Sequence, residues 1–223
     1  MTLQEAIVAR HSVRQYQNRE LTADQVAQLQ AAIAEANADK KLHLQLVTNE
    51  PQAFAAGLAK YGKFSGVSNY IVLAAKRGED TTLGYRAERI VLQAQTMGLN
   101  TCWVGLTFKK IPEHYTIADG EVMHGVIAIG YGQTQGVQHP QHDMKNFYKA
   151  EEPLPDWFRR GVEAAMLAPT AMNMQKFMFE LMPDGRVAAR TRFSLMSSYL
   201  NVDLGIVKLH FELGAEPEQV QWA

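Results

Sequence analysis

Apolar residues recur at three- and four-residue steps within the segment 83–97, a spacing typical of an amphipathic helix. The apolar face carries Ala87, Ile90, Val91, Ala94 and Met97. Gly98 follows where glycine commonly ends a helix in a left-handed conformation. The next residues, Thr101–Gly105, are apolar, aromatic and closed by glycine. They predict either a loop whose backbone faces a flat ligand or an ordinary buried turn.

Capping boxes mark the starts of two further helices. Thr2 with Glu5 opens a short helix over Leu3–Ala9, and Thr22 with Gln25 opens a longer one. In such a box the first side chain accepts a backbone N–H from the first turn, and the second side chain bonds back. The start of both helices is therefore specified locally.

Three more helices are predicted from proline, glycine and apolar periodicity. One begins at Pro51, and its core side would carry Phe54, Leu58 and Tyr61. Another is stopped by Pro169, because the residue before a proline avoids the helical region, and it would contain Trp157, Val162, Ala165, Met166 and Ala168. Asp203–Leu213 is apolar almost all round, so we expect a buried helix that Gly214 closes.

Strands are predicted in five segments. Leu42–Thr48 alternates apolar and polar residues, as a half-buried strand does. Tyr70–Ala75 and Val122–Gly130 are continuously apolar, which favours strands covered on both faces. Phe177–Leu181 and Arg186–Thr191 flank a Pro-Asp-Gly turn signal and are expected to form a hairpin.

Composition narrows the classes of function. The 223 residues are 47% hydrophobic and 20% charged, with a formal net charge of −1, and this length suits one large domain or two small ones. We expect no nucleic-acid partner, because such binders usually have a basic excess. No apolar run has the length of a membrane span, so no membrane association is expected. The single cysteine, Cys102, excludes an internal disulfide and favours a cytoplasmic location.

The segment Arg10-His11-Ser12-Val13-Arg14 concentrates two guanidiniums, an imidazole and a hydroxyl at the end of the first helix. Arginine forks bind phosphate oxygens through paired hydrogen bonds, so the segment is a candidate anion site. The alternative is that these basic residues only stabilise the helix dipole. His139 and His142 have the spacing of a ligand pair, but Pro140 excludes a helical arrangement, and a surface loop is favoured over a metal site.

The chain is expected to consist of two related halves, residues 1–150 and 151–223, that form one compact unit. The best candidate for the boundary is the proline-containing segment Glu151–Pro155. An Ile-Val pair precedes a glycine at the same spacing in the segments 90–98 and 206–214. Such internal likeness suggests two halves around a shared axis.

Four sequence blocks, jointly and in this order, resemble the FMN-dependent nitroreductase superfamily, and most closely its single-chain branch. They are ARHSVRQY at 9–16, GYRAERIVLQAQTMGLNTCWVG at 84–105, APTAMNMQKF at 168–177 and DLGIVKLHFELGA at 203–215. The resemblance implies an α+β fold with α/β/α layers. In ordinary members two subunits build each flavin site, whereas here the second flavin loop comes late in the same chain. The protein would therefore be a monomer whose two halves form a pseudo-dimer.

The resemblance also assigns cofactor-binding residues. The FMN phosphate and ribityl chain would be bound by Arg10, His11 and Ser12. Arg14 would face the pyrimidine edge of the flavin, where a positive charge stabilises the anionic reduced form. The backbone near flavin N5 would come from Cys102, Trp103, Val104, Gly105 and Leu106. The opposite side of the ring would be lined by Pro169, Thr170, Ala171, Asn173 and Gln175.

Two places depart from the family pattern. Leu106 stands where a second glycine is frequent, and its side chain would narrow the space over the ring. A loop that is often rich in lysine and arginine contains His139, His142 and Lys145 instead.

The activity implied by the resemblance is that of an FMN-dependent NAD(P)H oxidoreductase. NAD(P)H would give a hydride to the flavin, and a small-molecule acceptor such as a nitroaromatic or a quinone would then be reduced. No side chain needs to act as a nucleophile, and Cys102 is expected to be buried packing. The alternative is a flavin-binding carrier, sensor or flavin-processing protein without general reductase activity.

Overall fold

The computed structural model describes residues 1–55, 57, 61–194 and 199–223. Its α-helices are α1 (Leu3–Ala9), α2 (Ala23–Ala36), α3 (Gln52–Ala55), α4 (Asp80–Thr96), α5 (Asp156–Met166) and α6 (Leu200–Ala215). Its strands are β1 (Leu42–Val47), β2 (Tyr70–Lys76), β3 (Asn100–Val104), β4 (Glu121–Gly130), β5 (Tyr148–Lys149), β6 (Phe177–Leu181) and β7 (Val187–Thr191). Short 3-10 helices cover Pro112–His114, Met144–Asn146 and Ala171–Asn173. The predicted α+β fold class is confirmed, and no helix in the described ranges is long and apolar enough to cross a membrane.

Contacts between residues divide the chain into two compact units. The sheet unit contains Ala9–Glu79 and Ile90–Val137, and the helical unit contains Met1–Val8, Asp80–Arg89 and Gln138–Ala223. These units are defined by contacts between residues. The expected division at residue 150 is instead defined by likeness between the segments 1–150 and 151–223. That division stays a prediction.

In the sheet unit, four antiparallel strands lie in the order β1-β2-β4-β3. The continuously apolar runs form the two central strands, and the segment Tyr70–Ala75 in β2 is buried throughout. The register between β2 and β4 shifts at Leu73, where Gly125 of β4 has a φ of 143°. A Cβ at Gly125 would lie 2.4 Å from the Val104 carbonyl oxygen, so only glycine lets β4 approach the end of β3 this closely.

The segment expected as a loop, Thr101–Gly105, is mostly a strand, and that expectation was wrong. Asn100–Val104 forms β3 and pairs with β4 at the edge of the described sheet. Its threonine, tryptophan and valine are residues that pack well on a pleated surface, and this preference outweighs the glycines on either side. The predicted helix end before β3 is confirmed, because α4 stops at Thr96 and Gly98 has a φ of 76°.

Both capping boxes are confirmed. Glu5 N–H donates to Thr2 Oγ1 at 3.2 Å, and Thr2 N–H donates to a Glu5 carboxylate oxygen at 2.8 Å. The same reciprocal bonds join Thr22 and Gln25 at the start of α2. Both helices therefore begin where the sequence places them.

The helix predicted from Pro51 is short. Phe54 is buried as expected, but Tyr61 is 84% exposed, so its assignment to the core was wrong. α3 ends at Ala55, and Gly57 with a φ of 67° breaks the helical phase before Tyr61. Leu58, the third residue of that predicted face, lies outside the described residues.

In the helical unit, the predicted hairpin is confirmed as β6 and β7, with β5 parallel to β6. α5 ends ahead of Pro169 as expected, but its last residue is Met166, so Ala168 was wrongly placed in the helix. α6 is buried along its length, but it continues through Gly214, so this glycine was wrongly predicted to end it. A Cβ on Gly214 would lie 2.5 Å from the Ala164 Cβ, and glycine is required there for the close packing of α5 against α6.

Candidate active site

The basic segment 10–14 runs beside β3 in the sheet unit. Ser12 forms a parallel bridge with Thr101, and the Val13 N–H donates to the Thr101 carbonyl oxygen at 3.0 Å. Val13 and Tyr16 are almost completely buried in the hydrophobic core of this unit. These two anchors hold the intervening polar side chains along the edge of the sheet.

A loop after β4 packs against the same segment at two glycines. A Cβ on Gly136, which has a φ of 74°, would lie 2.8 Å from the His11 Cβ. A Cβ on Gly132 would lie 2.9 Å from the Val13 side chain. Asn100 fixes the loop, since its Oδ1 accepts the Gly132 N–H at 2.9 Å. Sequence reasoning missed Asn100 and Gly136, although the glycines of the polar segment 132–136 were a visible signal.

Positive charge is concentrated around the buried thiol of Cys102. Burial raises the pKa of Cys102, while Arg14, a hydrogen bond from the Ser12 hydroxyl and Arg10 each act in the opposite direction. The net pKa is above the ordinary value of a cysteine, so the thiol stays protonated and is a poor nucleophile. Arg14 itself is exposed and forms no ion pair with any residue that the structure describes. Arg10 is only 3% exposed, so the positive charge that is accessible to an anion at this edge comes from Arg14.

The remaining predicted residues lie at the end of β3 and just after it. Val104 is buried in the core, Trp103 and Gly105 are partly exposed, and Leu106 is 70% exposed. The structure therefore brings 10–14 together with 101–104, and it places a large exposed apolar side chain directly after the strand. An exposed leucine at this position is free to contact a bound ligand.

The predicted loop 169–175 is built within the helical unit. The Thr170 Oγ1 accepts the Gln175 N–H at 3.1 Å, and the Gln175 side-chain amide donates to the Met166 carbonyl oxygen at 2.7 Å. Met172, Asn173 and Gln175 have φ angles of 52°, 54° and 46°. Left-handed conformations at three non-glycine residues store strain, and such strain is concentrated at functional sites.

Two acceptors in this loop have no partner within the described part of the chain. They are the side-chain oxygens Asn173 Oδ1 and Gln175 Oε1, and both atoms are buried. A buried acceptor without a hydrogen bond costs free energy, and ligand binding is one explanation for such an atom. The loop can therefore offer two acceptors to the N–H groups of a ligand.

Asp203 is a further residue of this region that sequence reasoning did not assign. Both of its carboxylate oxygens lie 3.1 Å from the Ala171 backbone N–H, which donates to them. Burial raises the pKa of Asp203 to about 7, and the bond from Ala171 opposes this shift. An acidic residue in the first turn of a mostly apolar helix was the available signal.

The histidine-containing loop is mostly solvent-exposed. His139 contacts its own neighbours, with Nδ1 at 3.1 Å from the Pro140 carbonyl oxygen. His142 and Lys145 are exposed. Among the described residues, no group of three or more histidine, cysteine, aspartate or glutamate side chains is placed to hold a metal ion.

Comparison with solved structures identifies the fold. A "putative nitroreductase" from Thermotoga maritima superposes with a TM-score of 0.70 at 23% identity, covering 96% of this chain and 83% of that one. A "putative nitroreductase in complex with FMN" from Desulfovibrio desulfuricans gives a TM-score of 0.53 at 18% identity, covering 70% of this chain and 99% of that one. A protein from Bacteroides thetaiotaomicron described as "putative NADH dehydrogenase/NAD(P)H nitroreductase" gives 0.52 at 19% identity, covering 65% and 95%. These likenesses show a shared fold.

Sequence comparison extends this result to the family. No curated protein matches the chain significantly. Residues 2–215 match the family described as "Putative TM nitroreductase". Because this match spans almost the entire chain, the resemblance drawn from four short blocks is confirmed. The protein belongs to the TM nitroreductase family.

Proposed function

We propose that the protein is an FMN-dependent oxidoreductase of the nitroreductase type that takes electrons from NAD(P)H. Its acceptors would be nitroaromatics, quinones or similar small molecules. The proposal is supported by family membership and by the relative of the same fold that is described as an FMN complex. The observation that carries it is the electropositive segment 10–14 held along the edge of β3.

The residues of this edge fit the phosphate end of FMN. A phosphate needs several donors and positive charge, and Arg10, His11 and Ser12 supply a guanidinium, an imidazole and a hydroxyl. The two arginines act against the burial that raises the pKa of the Cys102 thiol, so their positive charge is felt at this edge. That charge supports the assignment of the segment to an anionic ligand.

Arg14 would act on the ring of the cofactor. When bound, FMN supplies reversible hydride and electron transfer. A guanidinium beside the pyrimidine edge stabilises negative charge that develops there on reduction. Since Arg14 has no carboxylate partner in the described part of the chain, its charge remains available for this role.

The loop 169–175 would contribute neutral hydrogen-bonding groups. Asn173 and Gln175 each have an unused acceptor, and these suit the N–H groups of an isoalloxazine better than its carbonyl oxygens. Pro169, Thr170 and Ala171 would contribute backbone and small side chains, as the family resemblance implies. Cys102 has no nucleophilic role in the proposal, because its thiol is buried and protonated.

The proposal is tested by the visible absorption spectrum of the purified protein after incubation with FMN and removal of unbound flavin. NADPH and then NADH are added without oxygen, followed by a nitroaromatic or a quinone. A flavin spectrum that bleaches with a nicotinamide and returns with the acceptor is the expected result. Bound flavin that does not bleach would indicate a carrier or sensor. A protein that takes up no FMN contradicts the proposal.

A further inference from the structure

Asp203 occupies an unfavourable place for a carboxylate. It lies in the first turn of α6 and is 8% exposed. The backbones of α4 and α6 approach each other closely in this turn. A Cβ on Gly84 would lie 1.9 Å from the Val202 carbonyl oxygen, and one on Gly205 would lie 2.0 Å from the Thr81 carbonyl oxygen. Glycines at both positions permit this approach, and the carboxylate is buried beside it.

Among the described residues, no cation pairs with this buried carboxylate. The pKa of the Asp203 carboxyl is set by burial, which raises it, and by the Ala171 N–H, which opposes that shift. Three titratable groups in or next to α4 and α6 have other partners or stay neutral. The Tyr85 hydroxyl of α4 donates to Glu212, and Glu88 of α4 bonds His210. Tyr199, which precedes α6, has a pKa raised by burial and stays neutral.

The one polar group that Asp203 bonds belongs to the strained loop. Ala171 starts the 3-10 turn 171–173, in which Met172 and Asn173 have left-handed φ angles. Its N–H would otherwise be an unsatisfied donor at the beginning of that turn. A carboxylate that accepts this N–H with both oxygens fixes the position of the backbone immediately before the strained residues.

We propose that Asp203 is a positioning residue that holds the loop 169–175 in its strained, ligand-accepting conformation. Its role rests on the proposed function, in which Asn173 Oδ1 and Gln175 Oε1 would accept hydrogen bonds from the flavin. Charge-assisted bonds to the Ala171 N–H are made by the ionised carboxylate, and protonation weakens them. The loop is therefore held more firmly above neutral pH than below it, and flavin affinity increases over the same range.

Two variants separate the charge from the hydrogen bond. Asp203→Asn keeps an acceptor oxygen without the charge, and Asp203→Ala removes both. Asp24→Asn is the control, because Asp24 also lies in the first turn of a helix but is exposed and distant in sequence from the loop. Hydrogen exchange of the peptide that contains 169–175 is measured first, in protein without flavin. We expect exchange to be slowest in the wild type, faster in the Asn variant and fastest in the Ala variant. The control should exchange like the wild type.

FMN affinity is then measured for each protein by flavin fluorescence between pH 5.5 and 8.5. A charge-assisted hydrogen bond corresponds to roughly one order of magnitude in binding, so we expect about tenfold weaker binding by the Ala variant at pH 8. The wild-type affinity should rise through pH 7 by more than that of the Asn variant. The difference between these two profiles isolates Asp203 from the titration of His11 and of the phosphate.

The readouts distinguish the two proposals. If no protein binds FMN but exchange in 169–175 increases in the variants, the proposed function fails and the positioning role stands. If FMN binds and both exchange and pH profile are the same in wild type and Asp203→Asn, the positioning role is wrong. Loss of affinity in the Ala variant without faster exchange in the loop would also overturn it.

Discussion

His210 and Glu88 form a hydrogen-bonded pair that is completely buried. The His210 Nε2 lies 2.9 Å from a Glu88 carboxylate oxygen, and both side chains are 0% exposed. The other ring nitrogen donates to the Ala164 carbonyl oxygen at 3.2 Å. Since this carbonyl oxygen can only accept, Nδ1 carries the hydrogen of this bond. Through its two nitrogens, the imidazole joins α4, α5 and α6 within the helical unit.

Removal of either partner should therefore destabilise the fold strongly. For Glu88→Ala and His210→Ala we expect a loss of about 3–5 kcal/mol in the free energy of unfolding, because the remaining side chain stays buried without this partner. Chemical denaturation followed by circular dichroism measures the loss. Glu163→Ala is the control, since its pair with Arg159 is exposed to solvent and should contribute little to stability. Equal losses in the buried and exposed variants would contradict this expectation.

Arg14→Ala should lower turnover more than it lowers FMN affinity. The guanidinium stabilises charge that develops only when the cofactor is reduced, so we expect about a tenfold lower kcat for NADPH oxidation. Arg186→Ala, in the exposed turn between β6 and β7, serves as the matched control. Unchanged FMN binding and unchanged NADPH oxidation in the Arg14 variant would show that this arginine was wrongly assigned.

Gly136→Ala tests whether the loop after β4 positions the basic segment. Its methyl group would approach the His11 Cβ to 2.8 Å, so the segment must shift, and we expect FMN binding to weaken by about an order of magnitude. Gly78→Ala is the control, because Gly78 has a φ of 88° and nothing within 4 Å of an added Cβ. Both variants carry the backbone strain, but the Gly136 variant alone carries the clash. Similar FMN dissociation constants in the two proteins would exclude a role for this contact.

The stability of the protein should depend on the ionisation of Asp203. Folding raises its pKa from 3.8 to about 7, so the folded state binds a proton more tightly than the unfolded state. The contribution of this group to the free energy of unfolding should then fall by about 4 kcal/mol at most as pH rises from 4 to 7. Above pH 7 it should stay level. Denaturation midpoints of the wild type and Asp203→Asn across this range measure the effect. The expectation fails if their difference is independent of pH.

The FMN-loaded protein should sediment as a monomer with one flavin per chain. The resemblance to single-chain family members implies that one chain supplies both contributions to the site. Sedimentation velocity monitored at the flavin absorption band gives the mass and the stoichiometry together. A dimer that holds a single flavin between two chains would contradict the pseudo-dimer.

The sequence was informative where local chemistry decides the structure. The capping boxes at Thr2 and Thr22, the buried strands and the hairpin around Pro-Asp-Gly all follow from interactions between near neighbours, and all are confirmed. Tyr61 was misjudged because Gly57 interrupts the helix, an effect that apolar spacing does not reveal. Gly214 was misjudged because it serves contact with Ala164 instead of helix termination.

The candidate site was predictable only in part, for a similar reason. Arg10, Ser12 and Arg14 lie within five residues of sequence, so this concentration of positive charge and hydrogen-bond donors was visible at once. Their position beside Thr101 depends on strand pairing across about ninety residues, which periodicity cannot report. The bond between Asp203 and Ala171 is another long-range contact, and the acidic residue in the first turn of a mostly apolar helix was its only sign in the sequence.

The bridge between Ser12 and Thr101 also has a consequence for solubility. β3 is an edge strand, and an edge with unpaired backbone groups is a template for pairing between chains. The Val13 N–H donates a hydrogen bond to one carbonyl oxygen of that edge, that of Thr101. The segment proposed to bind the cofactor thus also covers a surface that would promote aggregation, and displacing it would leave the strand open to a second chain.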